Sequence, residues 1–336
     1  MRKLSAVFVI AVIAAFTAFC FAACVPNGGG KSERGTVRVG AMNGATMIGL
    51  AKLDRDVKDG KITQTYLFDK VSTPDAITAG LVGRAYDAAA LSVNTAAILF
   101  NNKDTDIQVA AVNVLNVLYI VTNGVEISSF ADLNTQKETV HCTGARAVPE
   151  YVFRYLAEKN GFNGDKAQFY AEPTEIIAGL TKGTVKIAVL PQPAAAQAIK
   201  AAAAQGRDVQ IRLDLAAEWK KTEGNADKEI ITGVLVVRKA YLTNNKETFD
   251  TFLKDYKASV EFMRDPANID EAAQYAVDLK IISDLAVAKE ALPLCGLMYM
   301  DGETMKDKVS AFLQILYGQN KDFVGGKMPT EEFYYI

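Results

Sequence analysis

The chain opens with a short basic head, Met1-Arg2-Lys3, and then an uncharged apolar run from Leu4 to Phe21. A glycine-rich polar stretch from Val25 to Gly35 follows, and from there apolar clusters alternate with amphipathic ones. Thr36 to Ala41 (TVRVGA) has the β-branched character of a buried strand, and the apolar positions Ile48, Leu50, Ala51, Leu53 and Val57 beyond it predict a helix. Thr73-Pro74-Asp75 is a helix start, with a threonine at the N-cap and proline at the first helical position. Val117 to Thr122 (VLYIVT) and Ile231 to Val237 (ITGVLVV) are further strands. The last hundred residues are mostly helical, over 246–264, 266–279, 283–292 and 303–317, and the alanine run 194–204 is a helix by propensity. Strands alternating with helices predict an α/β fold with a largely parallel sheet.

A weak internal echo divides the chain. Ile77-Thr78-Ala79-Gly80-Leu81 through Leu91 lies over Ile176-Ile177-Ala178-Gly179-Leu180 through Leu190 without a gap, at an offset of 99. Both copies read as helix, turn and short strand, and each strand runs into a loop that opens a new helix. Two similarly built lobes are expected, with Val117–Thr122 and Ile231–Val237 as the strands by which the chain enters and leaves the second. The boundaries are then 36–118 and 234–336 for lobe one and 119–233 for lobe two.

The leading segment has the order of an export signal: cationic head, apolar stretch, then the small residues Ala22-Ala23 before Cys24. A cysteine at the cut point suits a lipoprotein signal at 1–23, with lipidation on Cys24 and a flexible tether over 24–35. A plain secretory signal and an uncleaved anchor are the competing readings, since Leu4 to Ala23 is near the length that spans a bilayer. Taking Arg2 and Lys3 away from the 37 basic residues leaves 35 against 39 acidic ones, which argues against nucleic acid as a partner. Cys142 and Cys295 are the cysteines left after Cys20 and Cys24; in different lobes, they are expected as separate buried thiols.

Catalytic chemistry is hard to assemble from these residues. His141 is the single histidine, expected as an ordinary strand residue, which excludes a multi-histidine metal cage. No G-x-S-x-G elbow occurs, Gly30-Lys31-Ser32 lacks the rest of a phosphate loop, and Tyr334-Tyr335 reads as a solvated or packed tail. The candidates are instead the loops at the carboxyl ends of strands, where open α/β sheets bind ligands. In lobe one these are Asn43-Gly44-Ala45-Thr46 and Ser92-Val93-Asn94-Thr95; in lobe two, Thr143-Gly144-Ala145-Arg146 and Pro191-Gln192-Pro193. Helix starts there offer N–H groups to polar atoms, glycines 44 and 144 admit close backbone approach, and Arg146 is the one strong cation. Ordinary helix capping explains each residue singly as well as ligand contact does.

The stretches GAMNGATMIGLAKL (40–53), STPDAITAGLVGRAYDAAALSVNTAAILFN (72–101), VLNVLYIVTNG (114–124), EIIAGLTKGTVKIAVLPQP (175–193) and VGGKMPTEEFYY (324–335) carry a resemblance. The body resembles the substrate-binding lipoproteins of ABC import systems, of the nitrate/sulfonate/taurine/thiamine-precursor group. The resemblance implies a two-lobed periplasmic-binding-protein fold of type II, each lobe a mostly parallel sheet flanked by helices, with the ligand cleft between. It implies capture of a small polar, anionic or heteroaromatic molecule and delivery to a membrane permease and its ATPase, with the protein a monomer outside the cell. It brings no cofactor, no metal and no catalysis, and it adds Asn116, near the crossover, to the binding candidates. A surface sensor or adhesion lipoprotein on the same fold, and a fold-sharing enzyme of thiamine or menaquinone synthesis, stay open as alternatives.

Overall fold

The computed structural model describes residues 35–102, 106–225 and 228–336; Cys24 and nearly all of the tether lie outside them. Its eleven strands are β1 (Thr36–Met42), β2 (Thr65–Val71), β3 (Ala88–Ser92), β4 (Ile107–Leu115), β5 (Leu118–Asn123), β6 (Val140–Thr143), β7 (Ala167–Tyr170), β8 (Ile187–Pro191), β9 (Val209–Asp214), β10 (Ile231–Arg238) and β11 (Leu297–Met300). They form two sheets, ordered β11-β4-β10-β3-β1-β2 and β7-β6-β8-β5-β9.

Each sheet contains a parallel trio, β2-β1-β3 or β7-β6-β8, followed by a strand of opposite sense. The reversed strands are β10 beside β3 and β5 beside β8. These are the two apolar runs expected to carry the chain between lobes, and each belongs wholly to one sheet. The crossings themselves fall outside the strands, at Asn116-Val117 on the way out and before Ile231 on the way back. Residues Ile231–Gly233 are thus already paired into sheet one.

The echo is structural as well as textual. Helix Pro74–Val82 and β3 correspond to helix Thr174–Lys182 and β8, with both strands in step at the offset of 99. A shared close approach explains the paired glycines. The Gly80 carbonyl accepts from the amides of Ala85 (2.8 Å) and Tyr86 (3.2 Å), and the Gly179 carbonyl from those of Thr184 (2.9 Å) and Val185 (3.2 Å). A Cβ on Gly80 would stand 2.2 Å from the Tyr86 ring, and one on Gly179 2.4 Å from Val185 Cγ2. Thr73 caps its helix as its sequence predicts, its Oγ1 accepting from the Ala76 amide at 3.3 Å.

The C-terminal helices run close to their expected spans. Lys239–Arg264 is continuous apart from a non-helical Asn245 (φ −135°, ψ 23°), so the start expected at Lys246 survives as a kink. Asn245 Nδ2 donates to the Tyr241 carbonyl at 3.1 Å, the kind of side-chain competition that bends helices. The main core runs from lobe one into one face of the second sheet. The other face of that sheet buries a separate small cluster of Val121, Ile176, Leu180, Ala188, Ala195 and Ala198 with their neighbours. Small alanines let helix Ala194–Ala203 sit close against β8.

Candidate functional site

The carboxyl ends of β1 and β3 face those of β6 and β8 across a cleft of about 220 Å³, walled by both lobes. Local sequence sets each wall. After β1 the Asn43 amide donates to the Val71 carbonyl at 2.8 Å, and Gly44 turns the chain at φ 129°. Thr46 Oγ1 then donates back to the Met42 carbonyl at 2.6 Å. After β6, Gly144 at φ 78° lies so close to Pro149 that a Cβ would meet its ring at 2.6 Å. After β8, the Gln192 amide donates to the Val117 carbonyl at 3.1 Å, while Gln192 Oε1 accepts from the Ala196 amide at 3.2 Å.

Nine of the candidate residues line this cleft: Asn43, Gly44, Ala45, Thr46, Ser92, Thr95, Thr143, Gly144 and Gln192. Four do not, and each has another task. Val93 is a fully buried core residue. Asn94 is equally buried; its Oδ1 accepts from Ser92 Oγ at 2.7 Å and its Nδ2 donates to the Arg146 carbonyl at 3.2 Å, across the lobes. Asn116, at φ 52°, clamps the crossing: its amide donates to the Ile230 carbonyl at 3.0 Å and its Oδ1 accepts from the Ile230 amide at 2.9 Å.

Arg146 stands on the outer rim. Its φ of 61°, and the grip of Glu150 Oε2 on its amide at 2.7 Å, follow the tight turn through Gly144. The guanidinium is 3.7 Å from the Asp75 carboxylate of lobe one, with the two side chains 82% and 87% exposed. That is a solvated ion pair between the lobes. It contributes on the order of 0.2–1 kcal/mol to keeping them together.

Further bonds join the lobes around the cleft. Val148 donates its amide to Ser92 Oγ at 3.4 Å, Gln197 Nε2 to the Ile281 carbonyl at 2.9 Å, and Tyr119 its hydroxyl to the Leu294 carbonyl at 3.2 Å. Burial pushes the Tyr119 hydroxyl up to about 12, so it remains a donor at any ordinary pH. Tyr151 stacks on Phe323 at 3.8 Å between ring centres, and Trp219 packs on Phe312 at 5.7 Å. The structure is the one in which the lobes touch.

Several wall residues escaped the sequence reading. Ser72 and Pro74 line the cleft from lobe one, and Ala171, Glu172 and Pro173 from lobe two. Ala171 and Pro173 stand 99 positions beyond Ser72 and Pro74, so the echo carried the signal that would have found them. Thr232 and Ile281 are brought in by the chain's return to lobe one and had no local signal, while Val114 lines the cleft from β4, before the chain leaves.

Elsewhere, His141 lies in β6 with Nδ1 2.9 Å from the Tyr170 hydroxyl, and burial holds its pKa below the ordinary value. Cys142 and Cys295 are buried free thiols, both pushed upward by burial. Tyr334 is buried and bridges to Val109, and the Tyr335 hydroxyl accepts from Lys246 Nζ at 2.9 Å; the tail is packed. Among the described residues no cluster of three or more His, Cys, Asp or Glu side chains could hold a metal ion, and no helix is long and apolar enough to cross a membrane.

Two sheets joined by two crossings, with a cleft between their facing strand ends, define the two-lobed type II periplasmic-binding-protein fold. The chain is similar over 90% of its length, with 20% identity and a TM-score of 0.71, to 99% of an ABC transporter protein from Parabacteroides distasonis. It is similar over 90% of its length, with 12% identity and a TM-score of 0.68, to 93% of the periplasmic aliphatic sulphonate binding protein SsuA from Escherichia coli. For the periplasmic nitrate-binding protein NrtA from Synechocystis PCC 6803 the identity is 14% and the TM-score 0.65, over 87% of this chain and 84% of that one. No protein-family model and no curated protein matches the chain. The fold expected from the resemblance is the fold observed.

Proposed function

We propose that this chain is the extracytoplasmic solute-binding component of an ABC importer, holding a small molecule between its lobes and presenting it to a permease and ATPase. The observation that carries the reading is the cleft between the facing strand ends, with walls from both lobes and the lobes joined directly around it. Transport neighbours of the same fold support it. Capture needs no covalent step: one lobe swings on the Asn116–Ile230 clamp, the ligand displaces water, and the closed form is what docks. The protein acts as a monomer, is not an enzyme, and needs neither cofactor nor nucleic acid. Residues 1–23 are its export signal, and Cys24 carries a lipid that holds it at the outer face of the membrane.

The test uses full-length chain expressed with its N-terminus intact. Fluorophores on the two lobes should approach when a ligand from a broad small-molecule panel binds, and the same ligand should raise the melting midpoint. Catalytic turnover of a bound compound would overturn the reading. So would tight binding of a protein partner with no small molecule closing the lobes. For the anchor, mass spectrometry should find diacylglycerol on Cys24, and Cys24→Ser should release the chain from membranes; an unlipidated Cys24 removes that part.

A further inference from the structure

The cleft wall has an unusual chemistry for a binding site opened by helix starts. Six helices begin at it, and a proline stands at or beside the start of four, the exceptions being Ala45–Ile48 and Val93–Asn102. Pro74 is the first residue of helix Pro74–Val82 and Pro149 the second of Val148–Lys159, while Pro173 and Pro193 immediately precede Thr174–Lys182 and Ala194–Ala203. All four line the cavity. A proline has no N–H, so each ring removes a donor where a helix would otherwise present one to a negative group. At these four starts three further amides are already engaged: Val148 by Ser92 Oγ, Ala196 by Gln192 Oε1 and Ala76 by Thr73 Oγ1.

The charges tell the same story. Among the described residues no lysine, arginine or histidine lines the cleft, and the one ionisable side chain that does is a carboxylate, Glu172. Glu172 is half-buried, and Arg146, the cation nearest in sequence to the cleft loops, is turned outward to Asp75. An anion entering this cavity would lose its water and meet a carboxylate, with no cation there to offset either.

What the wall does offer is neutral hydrogen bonding without partners. Gln192 is 2% exposed and its Nε2 has no partner among the described residues, although its Oε1 is satisfied. The Thr232 hydroxyl, also in the wall, is buried and equally unpartnered. Buried polar atoms are nearly always satisfied, and two orphans in one cavity point to what fills it.

We infer that the ligand of this cleft bears no negative charge: it is a compact molecule with an apolar body, a carbonyl-type acceptor for Gln192 Nε2 and Thr232, and either no charge or a positive one facing Glu172. This rests on the capture reading above and narrows it. Its wall is unlike one built for a sulfonate or nitrate ion.

The experiment measures melting midpoints of the full-length chain in mild detergent against a panel of small compounds equally divided among anions, neutral molecules and cations. Nitrate, alkanesulfonates and carboxylates are included beside amides and amines on the same apolar skeletons. Neutral or cationic members should raise the midpoint while anions at equal concentration do not. A shift from anions overturns the inference and leaves capture standing; a panel in which no compound of any charge shifts the midpoint overturns both. For the compound that binds, Gln192→Glu keeps the oxygen that caps Ala196 and replaces the donor, so affinity should fall about tenfold or more. Thr232→Val removes the orphan hydroxyl without touching any bond of the fold and serves if the Glu variant is unstable. Glu172→Gln should weaken a cationic ligand about tenfold and leave a neutral one unchanged. A ligand indifferent to all three substitutions overturns the assignment.

Discussion

Laid over one another, the two lobes repeat a plan and differ in what they bury at equivalent places. The Arg238 amide donates to the Asp87 carbonyl at 2.9 Å in lobe one; in lobe two the Asn123 amide donates to the Lys186 carbonyl at the same 2.9 Å. The backbone is common, but the side chains are not. Asp87 is fully buried between Arg38 Nε (3.3 Å) and Arg238 Nη2 (2.9 Å), whereas Lys186 makes no such pair among the described residues and Asn123 Nδ2 simply donates to the Leu180 carbonyl at 3.2 Å. Lobe one, which carries the longer sheet and the C-terminal helices, is locked by a charge network. Lobe two packs small apolar side chains on one face of its sheet and the aromatic rings of Phe130, Phe153 and Trp219 on the other, and its loops supply Gln192 and Glu172 to the cleft. A duplicated backbone plan thus leaves rigidity and recognition free to differ.

The largest expected effect separates those two regions. Asp87→Ala strands Arg238 in the interior and should cost about 3–5 kcal/mol in denaturant unfolding, while Lys186→Ala at the equivalent place should stay within about 0.5 kcal/mol. Equal losses would show that the lobes share this source of stability.

Next in size are the paired glycines. Gly179→Ala and Gly80→Ala each force a Cβ into a neighbour and should cost roughly 1–3 kcal/mol by overpacking. Gly179→Ala should be the costlier, because Val185 is branched and buried while the Tyr86 ring is half-exposed. The reverse order in thermal unfolding would mean that the Tyr86 ring is the better fixed of the two.

Arg146→Ala tests the rim. Its exposed pair with Asp75 should contribute less than about 1 kcal/mol, so ligand affinity should remain within about fivefold of the parent. A loss of hundredfold would return Arg146 to the binding wall.

The smallest effect concerns His141, which sits where lobe one has Gly40 beneath the Tyr86 ring. Burial lowers the folded His141 pKa from 6.5, so the unfolded chain takes up the proton more readily. Stability from this group is complete above pH ~6.5 and declines as pH falls below it. His141→Gln should flatten that slope in melting curves between pH 7 and pH 5, and an unchanged slope would assign it to the carboxylates.

Much of the fold was legible because its signals are local: the Thr73-Pro74 start, the alanine helix, and the repeat anchored by Gly80 and Gly179. The strand-end loops were legible for the same reason, since a loop after a buried strand has one place to go. What escaped was whatever depends on the chain's return. Thr232 reaches the cleft from β10, over a hundred residues beyond β4, which it pairs with. Arg146 shows the converse limit: its charge is evident in the sequence, but its direction is set by a left-handed backbone and a contact with the other lobe.

The position of β10 also has a consequence for the order of assembly. It lies between β3 and β4, so those two strands share no hydrogen bonds and stay apart by twice the interstrand spacing, about 9–10 Å. All five strands of sheet two fall within Leu118–Asp214, a continuous stretch that contains its own partners. Sheet one must wait for residues 231–238, more than a hundred positions after β4 ends. As the chain is made from its N-terminus, the second lobe is the first able to close its sheet, and lobe one remains two edges around a missing strand until the polypeptide comes back.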